Sequence, residues 1–138
     1  MAVDQMAFAR SMLVYLDGWA NKPADFDLED LSKEAPAAML MHIPTSGVLR
    51  KYIDGSYLGE WSFVVMLRIN KADTSEKLAV FDLFADLWKY FTSGALPVLP
   101  DGTTPKYFEL LNTPSASTIY DNGTEDYQTN YRLVFHSR

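Results

Sequence analysis

The stretch Tyr57 to Asn70, YLGEWSFVVMLRIN, decides how the chain folds. Trp61, Phe63, Val65, Leu67 and Ile69 fall on alternate positions, so an extended backbone points all five to one face of a sheet. The opposite face reads Glu60, Ser62, Val64, Met66, Arg68 and Asn70, polar at both ends and apolar in the middle. A sheet with one wet face has no need of that apolar middle. Either another part of the chain or a neighbouring subunit therefore covers Val64 and Met66.

Upstream, Ala38 to Ile43 reads as a strand closed by the turn cluster Pro44-Thr45-Ser46-Gly47, and Val48 to Ile53 as the next strand. Asp54-Gly55 is the turn dipeptide expected between antiparallel strands, leading into the central one. Residues 3 to 20 form the first helix, with Met6, Ala9, Leu13, Leu16 and Ala20 in one stripe and Phe8, Met12, Tyr15 and Trp19 in a second. So wide an arc implies burial on more than one side. Pro23, aided by Asn21, ends that helix. The acidic DFDLEDLSKEA between Pro23 and Pro36 is a short helix or a surface arm anchored by Phe26, Leu28 and Leu31.

Downstream, Asp73 and Glu76 make a capping box for a second helix that Gly94 stops. Leu78, Phe81, Phe84, Ala85, Trp88 and Phe91 define its buried stripe, widened by Val80, Leu83 and Leu87. This helix is expected to pack on the face of Trp61, Phe63, Val65 and Leu67. Leu96 to Pro105 reads as an irregular loop and Tyr107 to Leu111 as a short strand broken by Pro114. Ala116 to Tyr120 begins a last hairpin through Asp121-Asn122-Gly123. Tyr127, Thr129, Tyr131, Leu133 and Phe135 then alternate with polar residues in a terminal strand. The whole reads as one α+β domain, residues 1–138, a mostly antiparallel mixed sheet of about five to six strands against two main helices.

With 138 residues and 48% hydrophobic composition, the chain is long enough for one core. It has no apolar run of membrane-spanning length, and MAVDQMAFAR lacks the basic and apolar regions of a secretory signal, so a soluble cytosolic protein is expected. The lack of cysteine excludes disulfides and thiolate metal sites. The formal net charge of −6 argues against gripping nucleic acid as a main task, yet a negative surface would let DNA slide past. Acidic residues dominate positions 1 to 47, while Arg50, Lys51, Arg68 and Lys71 outweigh Asp54 and Glu60 in positions 48 to 72. Such a chain either pairs head to tail with copies of itself or has two ordinary solvated faces.

No catalytic signature is present: neither a Gly-rich phosphate loop nor Gly-x-Ser-x-Gly nor paired histidines on a helix. Asp25, Asp27, Glu29 and Asp30 lack the turn glycine and distal glutamate of a calcium loop. Asp82 and Asp86 share a helix face but flank an apolar stripe, which reads as surface solvation. His42 reads as a core or edge histidine rather than a base. No catalytic, cofactor or metal residue is assigned, and the reading is of a protein that is not an enzyme.

The order of elements, the hairpin Tyr52-Ile53-Asp54-Gly55-Ser56, the strand Glu60 to Asn70, the aromatic-rich helix and the closing YQTNYRLVF of Tyr127 to Phe135 together resemble a known family. It is that of the minor capsid or tail terminator proteins of long-tailed bacteriophages. The resemblance covers most of residues 45 to 136. It implies a small subunit that assembles as a ring, usually a hexamer, at the head-proximal end of the tail tube. The ring stops tube polymerisation and docks the head connector, with DNA passing through its bore without sequence-specific binding. No cofactor and no membrane is implied, and the location is the virion neck, reached from the host cytoplasm. Arg50, Lys51, Asp54, Gly55, Glu60, Val64 and Met66 are the candidate subunit or partner contacts. The hairpin Asp54 to Glu60 and the loop Leu96 to Pro105 are expected to project towards neighbours. Two rivals stand beside this reading. One is a cone-shaped small-molecule-binding protein or enzyme, with Trp19, Trp61, Tyr131 and His42 lining a pocket. The other is a different phage neck or tube protein of similar shape.

Overall fold

The alternation from Trp61 to Ile69 becomes one long strand, and the rest of the chain is arranged along it. The computed structural model describes residues 5–29, 36–44, 47–69, 74–119 and 124–138, without the side chains of 74–77 and 117–119. In chain order the elements are α1 (Gln5–Asp17), β1 (Phe26–Leu28), β2 (Ala37–Ile43), β3 (Val48–Lys51), β4 (Tyr57–Ile69), α2 (Thr74–Phe91), β5 (Thr103–Leu110), β6 (Ser115–Ile119) and β7 (Glu125–Ser137). The sheet runs β1-β2-β4-β7-β5, with β3 also on β4 and β6 also on β7. β1 is parallel to β2 and every other pair is antiparallel. This is the expected α+β class, with seven strands and two helices among the described residues.

The strand beyond the six expected is β1, from the acidic segment, and each flank of the central pair is built of two collinear pieces. β4 and β7, of 13 residues each, pair along their full lengths, from Tyr57 opposite Ser137 to Ile69 opposite Glu125. β2 and β3 run in the same direction along the free side of β4, with Ile43 opposite Ser62 and Val48 opposite Gly59. Only Glu60 and Trp61 of β4 lie between these two pairings, and the Glu60 N–H donates to the Gly47 carbonyl at 3.1 Å. β2 and β3 are thus two pieces of one continuing flank, with no change of direction from one to the other. Proline and glycine end pairing without dictating that the chain turn back.

The other flank repeats the device. β5 and β6 run along β7, with Leu110 opposite Tyr131 and Ser115 opposite Gln128, so Leu111 to Pro114 stand opposite Thr129 and Asn130. The Leu111 N–H donates to the Asn130 carbonyl at 2.9 Å, and the Asn130 N–H to Asn112 Oδ1 at 2.7 Å.

Both helices lie on the front face, where Trp61, Phe63, Val65 and Leu67 join Tyr131, Leu133 and Phe135 in one core. Phe8 of α1 meets Phe135 edge-on at 4.8 Å, and Phe91 of α2 stacks on Phe108 at 4.4 Å. Apolar burial of this extent is the main stabilising term.

Several element readings need correction. α1 ends at Asp17, six residues before Pro23, as the N–H groups of Gly18 and Trp19 close tighter turns on the Tyr15 and Leu16 carbonyls. Its buried side is Phe8, Ala9, Met12, Tyr15 and Leu16, while Met6 and Val14 are exposed, so it is covered from one side. On α2 the buried stripe is Val80, Phe84, Leu87 and Phe91, whereas Leu78, Phe81 and Ala85 face outward. The acidic segment contributes the edge strand β1, in which Phe26 and Leu28 pack on the core and Asp27 points away. Thr103 to Pro105 belong to β5, with the proline at a register shift of an edge strand, where its missing N–H costs least. The proposed Asp73–Glu76 cap, Asn70, and the Asp121-Asn122-Gly123 turn lie outside the described residues.

Candidate assembly interface

The hairpin joining β3 to β4 is a tight, self-bonded turn. The Tyr52 N–H donates to the Ser56 carbonyl at 2.9 Å, and the Gly55 N–H to the Tyr52 carbonyl at 3.1 Å. Asp54 Oδ1 accepts both the Ser56 hydroxyl, at 2.6 Å, and the Ser56 N–H, at 2.9 Å. Those two bonds, the hydroxyl first, hold the Asp54 carboxyl below its usual pKa. Gly55 sits at φ 90°, a conformation side chains disfavour. The turn leaves Ile53 109% exposed, beside Arg50 and Lys51, which have no ion-pair partner among the described residues.

The other candidate residues divide. Glu60 accepts a hydrogen bond from Arg132 Nη1 at 2.8 Å, while Arg132 Nη2 holds Glu109 at 2.6 Å. Glu60 thus serves pairing inside the sheet, and its reversal would disturb the fold as well as any contact. Val64 is 4% exposed within the single chain, so its burial requires no neighbouring subunit; Met66 stays partly exposed. On this back face Met39 stands opposite Met66 and Met41 opposite Val64, outside the core cluster that both helices join.

Of the four residues considered for a ligand pocket, Trp19, Trp61 and Tyr131 are buried in the core, while His42 is half-buried and lines a small open pocket of about 150 Å³ with Gln5, Met6, Ala9, Leu28 and Glu29. Trp61 and Tyr131 are fully buried core side chains. The Trp61 indole N–H donates to Gln5 Oε1 at 2.7 Å, and His42 stacks on the Trp61 ring at 5.2 Å. Burial lowers the His42 pKa, with the Glu29 carboxylate opposing. Trp19 donates to Asp86 Oδ2 at 2.6 Å, and Asn21 to the same oxygen at 2.9 Å. These donors hold the Asp86 carboxyl below its usual pKa, so Asp86 ties α1's exit to α2. Among the described residues no group of three His, Cys, Asp or Glu is placed to hold a metal ion, and no helix is long and apolar enough to cross a membrane.

One feature escaped the reading of the sequence. Arg10, Ser11, Val14 and Tyr15 of α1 face Leu96, Pro97 and Val98 across an open, mostly apolar groove of about 400 Å³. The Tyr15 hydroxyl fastens its two walls together by donating to the Ala95 carbonyl at 2.8 Å, and the Tyr90 hydroxyl of α2 donates to the Tyr15 carbonyl at 2.6 Å. Leu99 and Pro97 anchor the loop inward, which turns Val98 out. The available signal was Leu-Pro-Val-Leu-Pro, in which alternate apolar residues flanked by prolines cannot all face inward.

No family model matches the chain, and no curated protein matches it.

Proposed function

We propose that the chain is a structural subunit of a long-tailed phage neck, a tail terminator. It forms a ring on the tail tube and docks to the head connector, with DNA passing through without sequence-specific contact. The reading rests on the resemblance of element order and of the Tyr52–Ser56 and Tyr127–Phe135 segments. The observation that carries it is the hairpin: a turn locked by four hydrogen bonds that holds Ile53 in solvent next to two cations. A projecting apolar tip on a rigid support is the form of a contact element.

Native mass by light scattering after size exclusion, over a range of concentrations, is the test. The expected outcome is a discrete ring-sized species, or a monomer that becomes one on addition of tail-tube protein. A strict monomer indifferent to tube protein would sink the reading. Replacing Arg50 and Lys51 by Glu should weaken assembly and leave the monomer's thermal midpoint in place, since both side chains are exposed.

A further inference from the structure

The three most exposed large apolar side chains among the described residues are Ile53 at 109%, Val98 at 88% and Val14 at 75%. One is a knob, and the other two line the groove between α1 and the Leu96–Val98 segment. Their placement is complementary. Lys51, Tyr57, Ser137 and Thr103 form one row across β3, β4, β7 and β5 at a single end of the sheet. The hairpin leaves this row on the β3 flank and the Val98 loop enters it on the β5 flank, about 14 Å away at three strand spacings. Knob and groove thus lie on opposite flanks of the same end, so a chain cannot fill its own groove but can fill that of a copy set beside it.

Charge follows the same order. Along α1, Val14 has Arg10 one turn before it and Asp17 one turn after; along the hairpin, Ile53 has Lys51 before it and Asp54 after it. Laid antiparallel, the hairpin brings Lys51 to Asp17, whose Oδ1 also holds Lys22 of its own chain, and Asp54 to Arg10, all four on exposed residues. We infer that Ile53 of one copy seats in the Val14–Val98 groove of the next, a head-to-tail contact between identical chains. A contact between two different patches closes into a ring if the rotation between copies allows and otherwise grows as an open filament; it does not stop at a twofold dimer. The inference rests on the proposed function only in that the chain binds itself.

The test uses the absence of cysteine from the full chain. Ile53→Cys and Val98→Cys are made as two separate single-cysteine proteins with different tags, mixed, and oxidised at a concentration where light scattering shows association. The mixed-tag disulfide pair should form in clear excess over either same-tag pair. A dominant Ile53→Cys same-tag pair, or an oligomer with no cross-link, would overturn the contact while leaving a ring possible by other surfaces. No association at any concentration, with or without tube protein, would overturn both. Mixed pairs from a protein that never reaches a discrete ring-sized species, alone or with tube protein, would keep the contact and sink the neck reading. As a second measurement, Ile53→Asp should weaken association by about ten- to a hundredfold, the worth of one buried isoleucine side chain. Unchanged association would overturn the inference. The monomer's thermal midpoint should not move, because the side chain touches nothing in its own chain.

Discussion

The front and back faces of the sheet are built from the same strands by different means. On the front, Trp61, Phe63, Tyr131 and Phe135 interlock with Phe8 and Phe91 under two helices, and ring geometry sets the spacing. On the back, Val64, Met66 and Met39 lie outside the core cluster that α1 and α2 join, and charged pairs cross the strands beside them. Arg68 reaches across to Asp126 with Nε on Oδ1 at 2.7 Å and Nη2 on Oδ2 at 3.0 Å, and Arg132 ties Glu60 and Glu109 across three strands. Ring packing thus dominates one face and ion pairing is concentrated on the other, so the two should fail in different ways.

Phe84→Ala attacks the front face and should cost about 3 to 5 kcal/mol in a denaturant titration, because a buried phenylalanine leaves a cavity that its neighbours cannot fill. A loss well under 1 kcal/mol would show that α2 does not pack there as described. Asp126→Ala attacks the back face; leaving Arg68 without its forked partner should cost about 3 kcal/mol. Replacing both Arg68 and Asp126 by apolar residues of similar size should recover much of that loss, which a double-mutant cycle will measure.

The front should also resist additions. A Cβ on Gly59 would come within 2.5 Å of the Phe135 ring and 2.7 Å of the Gly47 carbonyl, so Gly59→Ala should destabilise by about 1 to 3 kcal/mol. Met66→Leu, a larger chemical change on the partly exposed back, should stay within about 1 kcal/mol. A back-face penalty as large as that of Gly59→Ala would erase the contrast.

The smallest effect concerns His42. Its folded pKa lies below 6.5, chiefly through burial, so the unfolded chain binds the proton more readily. The imidazole therefore costs nothing while neutral in both states, and stability falls as pH drops from about 6.5 through the folded value. His42→Gln should flatten the slope of thermal midpoint against pH in that window and leave it unchanged above. An equal slope in both proteins would count against burial as the cause.

Much of the fold was legible because burial on one face of a strand writes itself as alternation: Trp61 to Ile69 and Tyr127 to Phe135 needed nothing else. α2 was harder, since apolar residues surround most of it, and period alone did not separate Leu78 and Phe81 from Val80 and Leu87. Phe-Asp-Leu-Glu was too short for its alternation to outweigh its acidity, although it is the pattern of an edge strand. The collinearity of β2 with β3 and of β5 with β6 is a matter of pairing partner, which local turn chemistry does not encode. At the candidate interface, Arg50, Lys51 and the Asp54-Gly55 turn were readable. Ile53 reads as the end of the preceding strand, whereas it belongs to the turn, where it is fully exposed. The groove was invisible because its walls come from segments some eighty residues apart, joined by the Tyr15 to Ala95 hydrogen bond.

The ladder between β4 and β7 also sets the order in which the molecule can form. Ile69 and Glu125 are 56 residues apart, and Tyr57 and Ser137 are 80 apart (125 − 69 and 137 − 57), so every rung closes a long loop before it returns any stabilisation. The hairpin of β3 and β4 can form early, but the front core has no floor until β7 arrives beside β4. A chain growing on a ribosome therefore exposes Trp61 and Phe63 until its last strand emerges, and its folding rate should be governed by that single late closure.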